Sequence, residues 1–266
     1  MRATHPLPAL AVTALVGLVA AARGADGRTL ALVVLSTGIG QASVGWSNDY
    51  LDRGRDAAAG RSDKPLVVGD VSPAVVWRGA LIALPLSIAA SAVLGPAEAA
   101  IMAVAVAAAW AYNLGVKDTV ASALPYAVAF GLAPVYVWQA TSGSFPPGWV
   151  VAAGSLLGVA AHLMNALPDF EADRAHGAFG LVHRLGPRGS VVLAAGVLAS
   201  LLALILVADG APVTGPQVAA AGVAVACILA VVWAGLRGSA RLGFRLTILA
   251  AGTIVATFLL SPGNLY

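Results

Sequence analysis

The chain has 266 residues, of which 59% are hydrophobic and only 10% are charged. Because about a quarter of the residues in a soluble domain are charged, this composition indicates a membrane protein. The single cysteine, Cys227, excludes a disulfide framework and a thiolate metal cluster, and the net charge of +3 comes without the basic and aromatic interleaving of a nucleic-acid-binding protein.

The sequence contains nine apolar runs. A helix that crosses the hydrocarbon core of a bilayer, about 30 Å thick, needs about 20 mostly apolar residues. In chain order the runs cover residues 8–22, 30–47, 74–94, 97–113, 120–140, 149–167, 189–207, 217–236 and 242–260. We therefore predict an all-α fold: one integral membrane domain over residues 1–266, with about nine transmembrane helices and long charged loops at about 49–72 and 169–188.

The first run permits a second interpretation. It follows Arg2 and ends in small residues, which is typical of a cleavable signal peptide. We favour a retained helix, because nine spans with an internal N-terminus agree with the distribution of lysine and arginine. Of the 15 basic residues, only Arg23 and Arg28 fall on the opposite side of the predicted spans. The positive-inside rule then predicts a multi-pass protein of the cell membrane whose charged loops face the cytoplasm.

An acidic cluster follows the second run, in the segment SNDYLDRGRD. Asp49, Asp52 and Asp56 recur at i, i+3 and i+7, so on a helix their carboxylates share one face. Asn48 lies one helical turn before Asp52. Carboxylates stacked in this way repel each other, and beside hydrocarbon they are unfavourable unless a cation neutralises them. Oxygen ligands of this kind favour Mg²⁺.

A second acidic cluster follows the sixth run, in the segment NALPDFEADRAHG. Asn165, Asp169 and Asp173 step by four residues and repeat the layout of the first cluster, an amide followed by carboxylates one turn apart. Two such clusters at one membrane edge suggest two halves that bring their carboxylates together. Since Mg²⁺ usually bridges protein carboxylates to substrate phosphates, we infer a diphosphate ligand.

These motifs resemble those of the UbiA superfamily of intramembrane prenyltransferases. The similarity lies in NDYLDRGRD and DFEAD, with KPLVVGDVS after the first and HRLG after the second. It covers essentially the whole chain, since that family also has nine membrane helices and charged loops after helices two and six. The resemblance implies Mg²⁺-dependent transfer of an isoprenoid group from its allylic diphosphate to an acceptor, with the active site toward the cytoplasm.

The resemblance also implies roles for individual residues. Those that would bind the diphosphate through Mg²⁺ are Asn48, Asp49, Asp52 and Asp56, and those at a second Mg²⁺ are Asp169 and Asp173, with Asn165 beside them. The metals would stabilise the leaving diphosphate as the allylic C–O bond breaks. An apolar pocket would protect the carbocation from water.

Basic side chains near the clusters are further candidates for diphosphate binding. Lys64 stands where many family members have Arg, and lysine lacks the bidentate fork of arginine. Tyr112 and Lys117, in YNLGVKD, are similar to a tyrosine–lysine element of the family near the diphosphate. Arg61 and Arg184 are candidates by position alone. The arginines interpreted as topology determinants are Arg53, Arg55, Arg174, Arg237, Arg241 and Arg245.

The sequence leaves the acceptor open. Family members that prenylate hydroxybenzoate tend to carry an Arg several residues before the Asn-Asp pair, and the corresponding residue here is Gln41. This difference argues against a benzoate. The expected partners are a prenyl diphosphate donor, an unidentified lipophilic or aromatic acceptor and membrane lipid, with no nucleic acid.

Two alternative functions remain at this stage. A terpene cyclase would use the same ionisation step and trap the carbocation within the molecule, without an acceptor. An ion-coupled transporter would use the carboxylates to bind ions, but both clusters lie at one membrane face rather than at the midplane.

Overall fold

The computed structural model describes residues 6–175, 177, 179–208 and 210–261, so Arg2 lies outside it. Within these ranges the chain forms nine long helices and no strand. The helices are α1 (Pro6–Ala22), α2 (Gly27–Ala58), α3 (Pro73–Ala92), α4 (Pro96–Asn113), α5 (Leu124–Ser142), α6 (Gly148–Asn165), α7 (Leu181–Val207), α8 (Gly215–Leu236) and α9 (Ala240–Leu259). Two short helices, Pro65–Val68 and Phe170–Ala175, lie in the connections that follow α2 and α6.

The all-α membrane fold is confirmed. Six of the nine long helices, namely α2, α3, α6, α7, α8 and α9, are long and apolar enough to cross a bilayer. Helix α1 is a shorter apolar helix, and α4 and α5 are not among the six. The count of nine crossings therefore stays a prediction.

Two helices extend well beyond the apolar runs that predicted them. Helix α2 begins after Asp26, whose carboxylate accepts a hydrogen bond of 2.8 Å from the Thr29 amide, and it continues past the apolar run to Ala58. Helix α7 begins at Leu181 and is kinked at Gly186, where φ is 69°. Hydropathy detects only the part of a helix that matches the hydrocarbon core, so the polar ends were assigned to loops. The first acidic cluster consequently lies on a helix.

The helices form a ring that the first and last elements close. Helix α2 packs on α3, α5 on α6, α6 on α7 and α8 on α9, while α1 contacts α2, α5 and α9. Four connections, α2–α3, α4–α5, α6–α7 and α8–α9, lie at one end of this bundle, which we call the charged end. Both acidic clusters belong to it.

Close packing of α5 on α6 depends on two glycines. A Cβ atom at Gly158 would lie 2.3 Å from the Tyr126 carbonyl oxygen, and one at Gly154 would lie 2.5 Å from that of Phe130. Glycine therefore lets the two backbones approach closely, as small residues do in membrane bundles. This approach places Tyr126 of α5 beside the polar end of α6.

Candidate active site

The charged end of the bundle encloses a cavity of about 440 Å³, the polar cavity. Its walls come from α1, α2, α4, α5, α6 and α9 and from the charged connections. The predicted site residues that line it are Asn48, Asp52, Asp56, Arg61, Tyr112, Lys117, Asn165, Asp169 and Asp173. The fold thus brings the two acidic clusters to one space, although they are far apart in the sequence.

Hydrogen bonds fix the carboxylate of Asp52 at the end of α2. The Asn48 side-chain amide donates to one oxygen over 2.7 Å, and the Lys117 ammonium contacts the other as an ion pair. Lys117 lies in the turn after α4, so two separate elements hold this carboxylate. Asp52 keeps a partly exposed side chain, which leaves it accessible from the cavity.

The second cluster has its own cationic partner. The Arg61 guanidinium donates to Asp169 and also to both carboxylate oxygens of Asp63, over 2.8 and 3.0 Å. These bonds lower the pKa of Asp63 to about 2. Burial raises the pKa of Asp173, and the neighbouring Asp169 raises it further. A bound cation would relieve both effects on Asp173.

Two predicted residues, Asp49 and Lys64, lie behind the cavity wall. The Lys64 ammonium donates to Asp49 over 2.6 Å, with both side chains largely buried, and it lies 3.9 Å from Asp56. Neither Asp49 nor Lys64 lines the polar cavity. The three carboxylates of α2 therefore do not share one environment: the structure assigns Asp52 and Asp56 to the cavity and Asp49 to a buried ion pair.

Arg184 also stands apart from the cavity. It lies in the first turns of α7 with an exposed side chain and is not among the residues around the polar cavity. Its position therefore gives no support to the predicted role in diphosphate binding.

Three arginines that the sequence did not predict as site residues line the polar cavity. Arg55 lines the polar cavity and makes a two-bond ion pair with Asp118, over 2.9 and 3.2 Å. Arg241 and Arg245, one turn apart on α9, line it as well. Their spacing predicts that they share a helix face, but not that this face lines the cavity. The sequence alone predicts all three as topology determinants.

Asn113 is a further residue that the sequence reasoning missed. This buried residue ends α4, and its amide donates to the Val44 carbonyl over 2.9 Å and to the Ser47 hydroxyl over 2.8 Å. Its oxygen faces the Asn48 amide at 3.5 Å. Asn113 thereby ties α4 to α2 directly beside the first cluster. The only available signal was its place next to Tyr112 in the YNLGVKD segment.

A second cavity, of about 200 Å³ and almost entirely apolar, adjoins the polar one. The two share Gln41, Val44, Ala109, Phe130 and Leu157, among other lining residues. The far end of this apolar cavity is formed by several side chains, including Val19, Trp138, Val150 and Phe258. An elongated ligand with a polar head and an apolar tail fits the pair of cavities.

The donor atoms of the polar cavity suit Mg²⁺. Across the described residues, no three Asp, Glu, His or Cys side chains converge closely enough to hold a metal by themselves. Mg²⁺ does not need such a cage, because it commonly binds one or two carboxylates together with substrate phosphates and water. Of the described lining residues, none is His or Cys, and the acidic and amide side chains offer oxygen. The residues present fit a metal shared with a diphosphate.

Comparison with models of protein families identifies the family of this chain. The model of the UbiA prenyltransferase family matches residues 10–262. The chain belongs to the UbiA prenyltransferase family. The match confirms the resemblance that the two acidic motifs indicated, and with the apolar helices it makes this UbiA protein a multi-pass membrane protein.

Solved structures of UbiA proteins share the fold. A ligand-free homologue from Aeropyrum pernix K1 is 20% identical with a TM-score of 0.78, and the alignment covers 95% of this chain and 97% of that one. A homologue from Archaeoglobus fulgidus bound to GPP and Mg²⁺ is 19% identical with a TM-score of 0.73, over 97% of each chain. A digeranylgeranylglyceryl phosphate synthase is 14% identical with a TM-score of 0.67, over 99% of this chain and 95% of that one. No curated protein sequence gives a significant match.

Proposed function

We propose that this UbiA protein is a Mg²⁺-dependent prenyltransferase that moves a prenyl group from an allylic diphosphate to a lipophilic acceptor in the membrane. The observation that carries the proposal is the joining of two acidic clusters in one polar cavity that adjoins an apolar cavity. The homologue bound to GPP and Mg²⁺ supports it, because its fold is the same.

The acidic residues are proposed to hold the metal. Asp52 and Asp56 would bind one Mg²⁺, and Asp169 and Asp173 would bind a second, each shared with the diphosphate. The bound metal would supply Lewis-acid stabilisation of the leaving diphosphate. Asn48 keeps Asp52 oriented through its 2.7 Å hydrogen bond.

Cationic and aromatic side chains of the cavity complete the proposed machinery. Lys117 and Arg61 lie against Asp52 and Asp169, where they would meet the oxygens of a diphosphate bound between the clusters. Their charges stabilise the negative charge that develops as the allylic C–O bond breaks. Tyr112, whose ring packs against Tyr126 at 5.1 Å, presents an aromatic wall to the allylic cation.

Asp49 and Lys64 take a supporting role in this proposal, and Arg184 takes none. The buried ion pair of Asp49 and Lys64 lies beside Asp56 and fixes the loop that follows α2. A buried carboxylate needs such a partner, since one left unpaired is strongly destabilising.

The apolar cavity is proposed to receive the prenyl tail and to exclude water from the cation. Helix α5 lines this cavity from Ala129 to Trp138, a stretch that rises about 14 Å at about 1.5 Å per residue. An isoprene unit, with four carbon–carbon bonds of about 1.5 Å, extends about 5 Å. The depth of the apolar cavity therefore suits a donor tail of roughly three isoprene units. Arg23, whose guanidinium lies 3.8 Å from the Trp138 ring centroid, lies beyond the far end.

The proposed location follows from the basic residues. Lysine and arginine concentrate at the charged end of the bundle, so this end and the polar cavity face the cytoplasm of a cell membrane. A lipophilic acceptor then reaches the cavity from the bilayer.

A turnover assay tests the proposal. The purified protein in lipid nanodiscs is incubated with labelled allylic diphosphates of one to four isoprene units and a lipid extract, with Mg²⁺ or with EDTA. We expect a labelled lipid product and an equal amount of released diphosphate with Mg²⁺, and neither with EDTA. Diphosphate release and a cyclic product without any lipid extract would replace the transferase with a cyclase. The absence of turnover with donors of one to four isoprene units would contradict both enzymes.

A further inference from the structure

Two exposed arginines of the polar cavity, Arg241 and Arg245, make no close ion pair, although the charge of Arg241 contributes to the lowered pKa of Asp63. Arg241 and Arg245 are one turn apart on α9, so they lie about 6 Å apart along the helix axis. In the parts of the chain that the structure describes, no acidic group lies within ion-pair distance of either guanidinium. The other cations of this cavity are each paired: Arg55 with Asp118, Arg61 with Asp169 and Lys117 with Asp52.

The wall that carries these arginines is amphipathic. On the same helix, Phe244 lies between the two arginines and Ile248 lies about one turn beyond Arg245, and both line the polar cavity. Leu7 and Ala11 of α1 line it from the adjacent helix. None of these four residues lines the apolar cavity proposed for the donor tail. The α1–α9 wall thus offers a second apolar surface, headed by two positive charges, apart from the path of the donor.

A transferase must bind a second substrate next to the donor, and this wall is suited to it. In the proposed function, the donor diphosphate would be held by the two acidic clusters through Mg²⁺ and by Lys117 and Arg61. A phosphomonoester carries about −1.5 to −2 charges at pH 7, which two guanidiniums match better than the single charge of a carboxylate would. Arginine is also the residue best shaped to bind phosphate oxygens in pairs.

We propose that Arg241 and Arg245 bind the anionic head of the acceptor, and that this acceptor is a lipid carrying a phosphomonoester group. The inference rests on the proposed prenyl transfer and names the chemical class of its second substrate. The lipid chain packs on the α1–α9 wall, and its head meets the two arginines beside the donor.

Ligand binding to the folded protein tests this role directly. The site is first filled with Mg²⁺ and geranyl thiolodiphosphate, a donor analogue that resists ionisation. Dissociation constants are then measured for dioctanoyl phosphatidic acid, dioctanoylglycerol and inorganic phosphate. The variants are Arg241→Gln and Arg245→Gln, with Arg237→Gln as the matched control, because Arg237 is exposed at the same end and does not line the cavity.

We expect Arg241→Gln and Arg245→Gln each to raise the dissociation constant of dioctanoyl phosphatidic acid about tenfold or more, because each removes a charge-assisted hydrogen bond. Dioctanoylglycerol and the donor analogue bind all variants equally, and unchanged donor binding also shows that the variants fold. Arg237→Gln matches the unmodified protein. Inorganic phosphate binds far more weakly than the phospholipid, because it makes no apolar contacts.

Three outcomes overturn the inference. Weaker binding of the donor analogue in both cavity variants would assign the arginines to the diphosphate and leave the proposed function intact. Equal affinity for inorganic phosphate and dioctanoyl phosphatidic acid would indicate a free-anion site. Unchanged binding of dioctanoyl phosphatidic acid in both Arg241→Gln and Arg245→Gln would remove the two arginines from acceptor recognition. The proposed function itself fails separately, if the unmodified protein does not bind the donor analogue.

Discussion

Asp173 experiences two effects that disfavour its charged form. It lies in the short helix after α6, where burial and the nearby carboxylate of Asp169 both raise its pKa. A carboxylate in this position gains more from a bound cation than an exposed one does, since the cation offsets both effects. The burial of Asp173 beside Asp169 therefore supports its proposed role in metal binding.

Replacing Asp173 with asparagine tests this point with a close control. We expect Asp173→Asn to lower Mg²⁺-dependent turnover by roughly 100-fold or more, because a metal ligand is worth several kcal/mol to the transition state. The control is Glu171→Gln, two residues before Asp173. The side chain of Glu171 is exposed and does not line the polar cavity, so its loss of charge should leave activity unchanged. The kcat and the Mg²⁺ dependence are measured for both. Equal activity in the two variants would exclude Asp173 from the mechanism.

For single residues, the sequence predicts which carboxylates share a helix face, but not which of them face the cavity. The steps of three and four residues place Asp52 and Asp56 on one helix face, because helical periodicity is a local property, and the fold adds Asp173 to the same cavity. The same spacing grouped Asp49 with them, yet its partner Lys64 comes from a loop that only the folded chain brings near. Tertiary contacts, not spacing, decide which carboxylate remains accessible.

Among the elements, the contact of α5 with α6 constrains the site most strictly. Gly158 lies against the backbone of Tyr126, and Tyr126 accepts a hydrogen bond of 3.0 Å from the Asn165 amide. Any separation of the two helices therefore moves Asn165 away from the tyrosine. The glycine spacing of α6 sets the position of the second cluster.

We expect Gly158→Ala to destabilise the protein by about 1–3 kcal/mol, as forced overpacking does. The added Cβ would meet the Tyr126 carbonyl oxygen at 2.3 Å, where neither backbone yields easily. The control is Gly222→Ala in α8, where a Cβ has nothing within 4 Å and a small gain in helix propensity is expected. Thermal unfolding in detergent compares the two. A melting temperature for Gly158→Ala at or above that of the unmodified protein would contradict the packing argument.

The sequence predicts the apolar parts of the helices but not their polar ends. The apolar runs located every long helix, because burial in hydrocarbon demands a continuous apolar stretch. They missed the polar end of α2 up to Ala58 and the first turns of α7 up to the kink at Gly186. Those turns lie among charged side chains, where hydropathy carries no information about helix formation.

Across the whole molecule, the polar and apolar cavities form one elongated site. The polar cavity of about 440 Å³ holds the acidic clusters, and the apolar cavity of about 200 Å³ extends from it toward Trp138 and Phe258. A donor whose tail enters this space is limited in length by the far wall.

Partly filling the apolar cavity tests that limit. We expect Ala105→Phe, on α4 at the cavity wall, to lower kcat/KM for a donor of four isoprene units about tenfold relative to a donor of two units. A larger side chain occupies space that only the longer tail needs. Ala107→Phe, on the same helix but exposed and outside both cavities, should leave the ratio unchanged. An unchanged ratio in Ala105→Phe would place the tail elsewhere.

The order of the helices around the ring could not be predicted from the sequence. Helices α1 and α9 meet although they lie at opposite ends of the chain, and this contact brings Arg241 and Arg245 into the polar cavity. Each arginine taken alone fits the positive-inside pattern as well as any other. Family resemblance supplied the overall topology, but not the side chains that this closure adds.

The central claim is that both acidic clusters hold one diphosphate through shared metals. The most direct measurement is an experimental structure with geranyl thiolodiphosphate and Mn²⁺, whose anomalous scattering locates the metal independently. We predict one metal beside Asp52 and Asp56 and another beside Asp169 and Asp173, with the diphosphate bridging them. A diphosphate bound outside the polar cavity, or metals that contact only one cluster, would contradict the account.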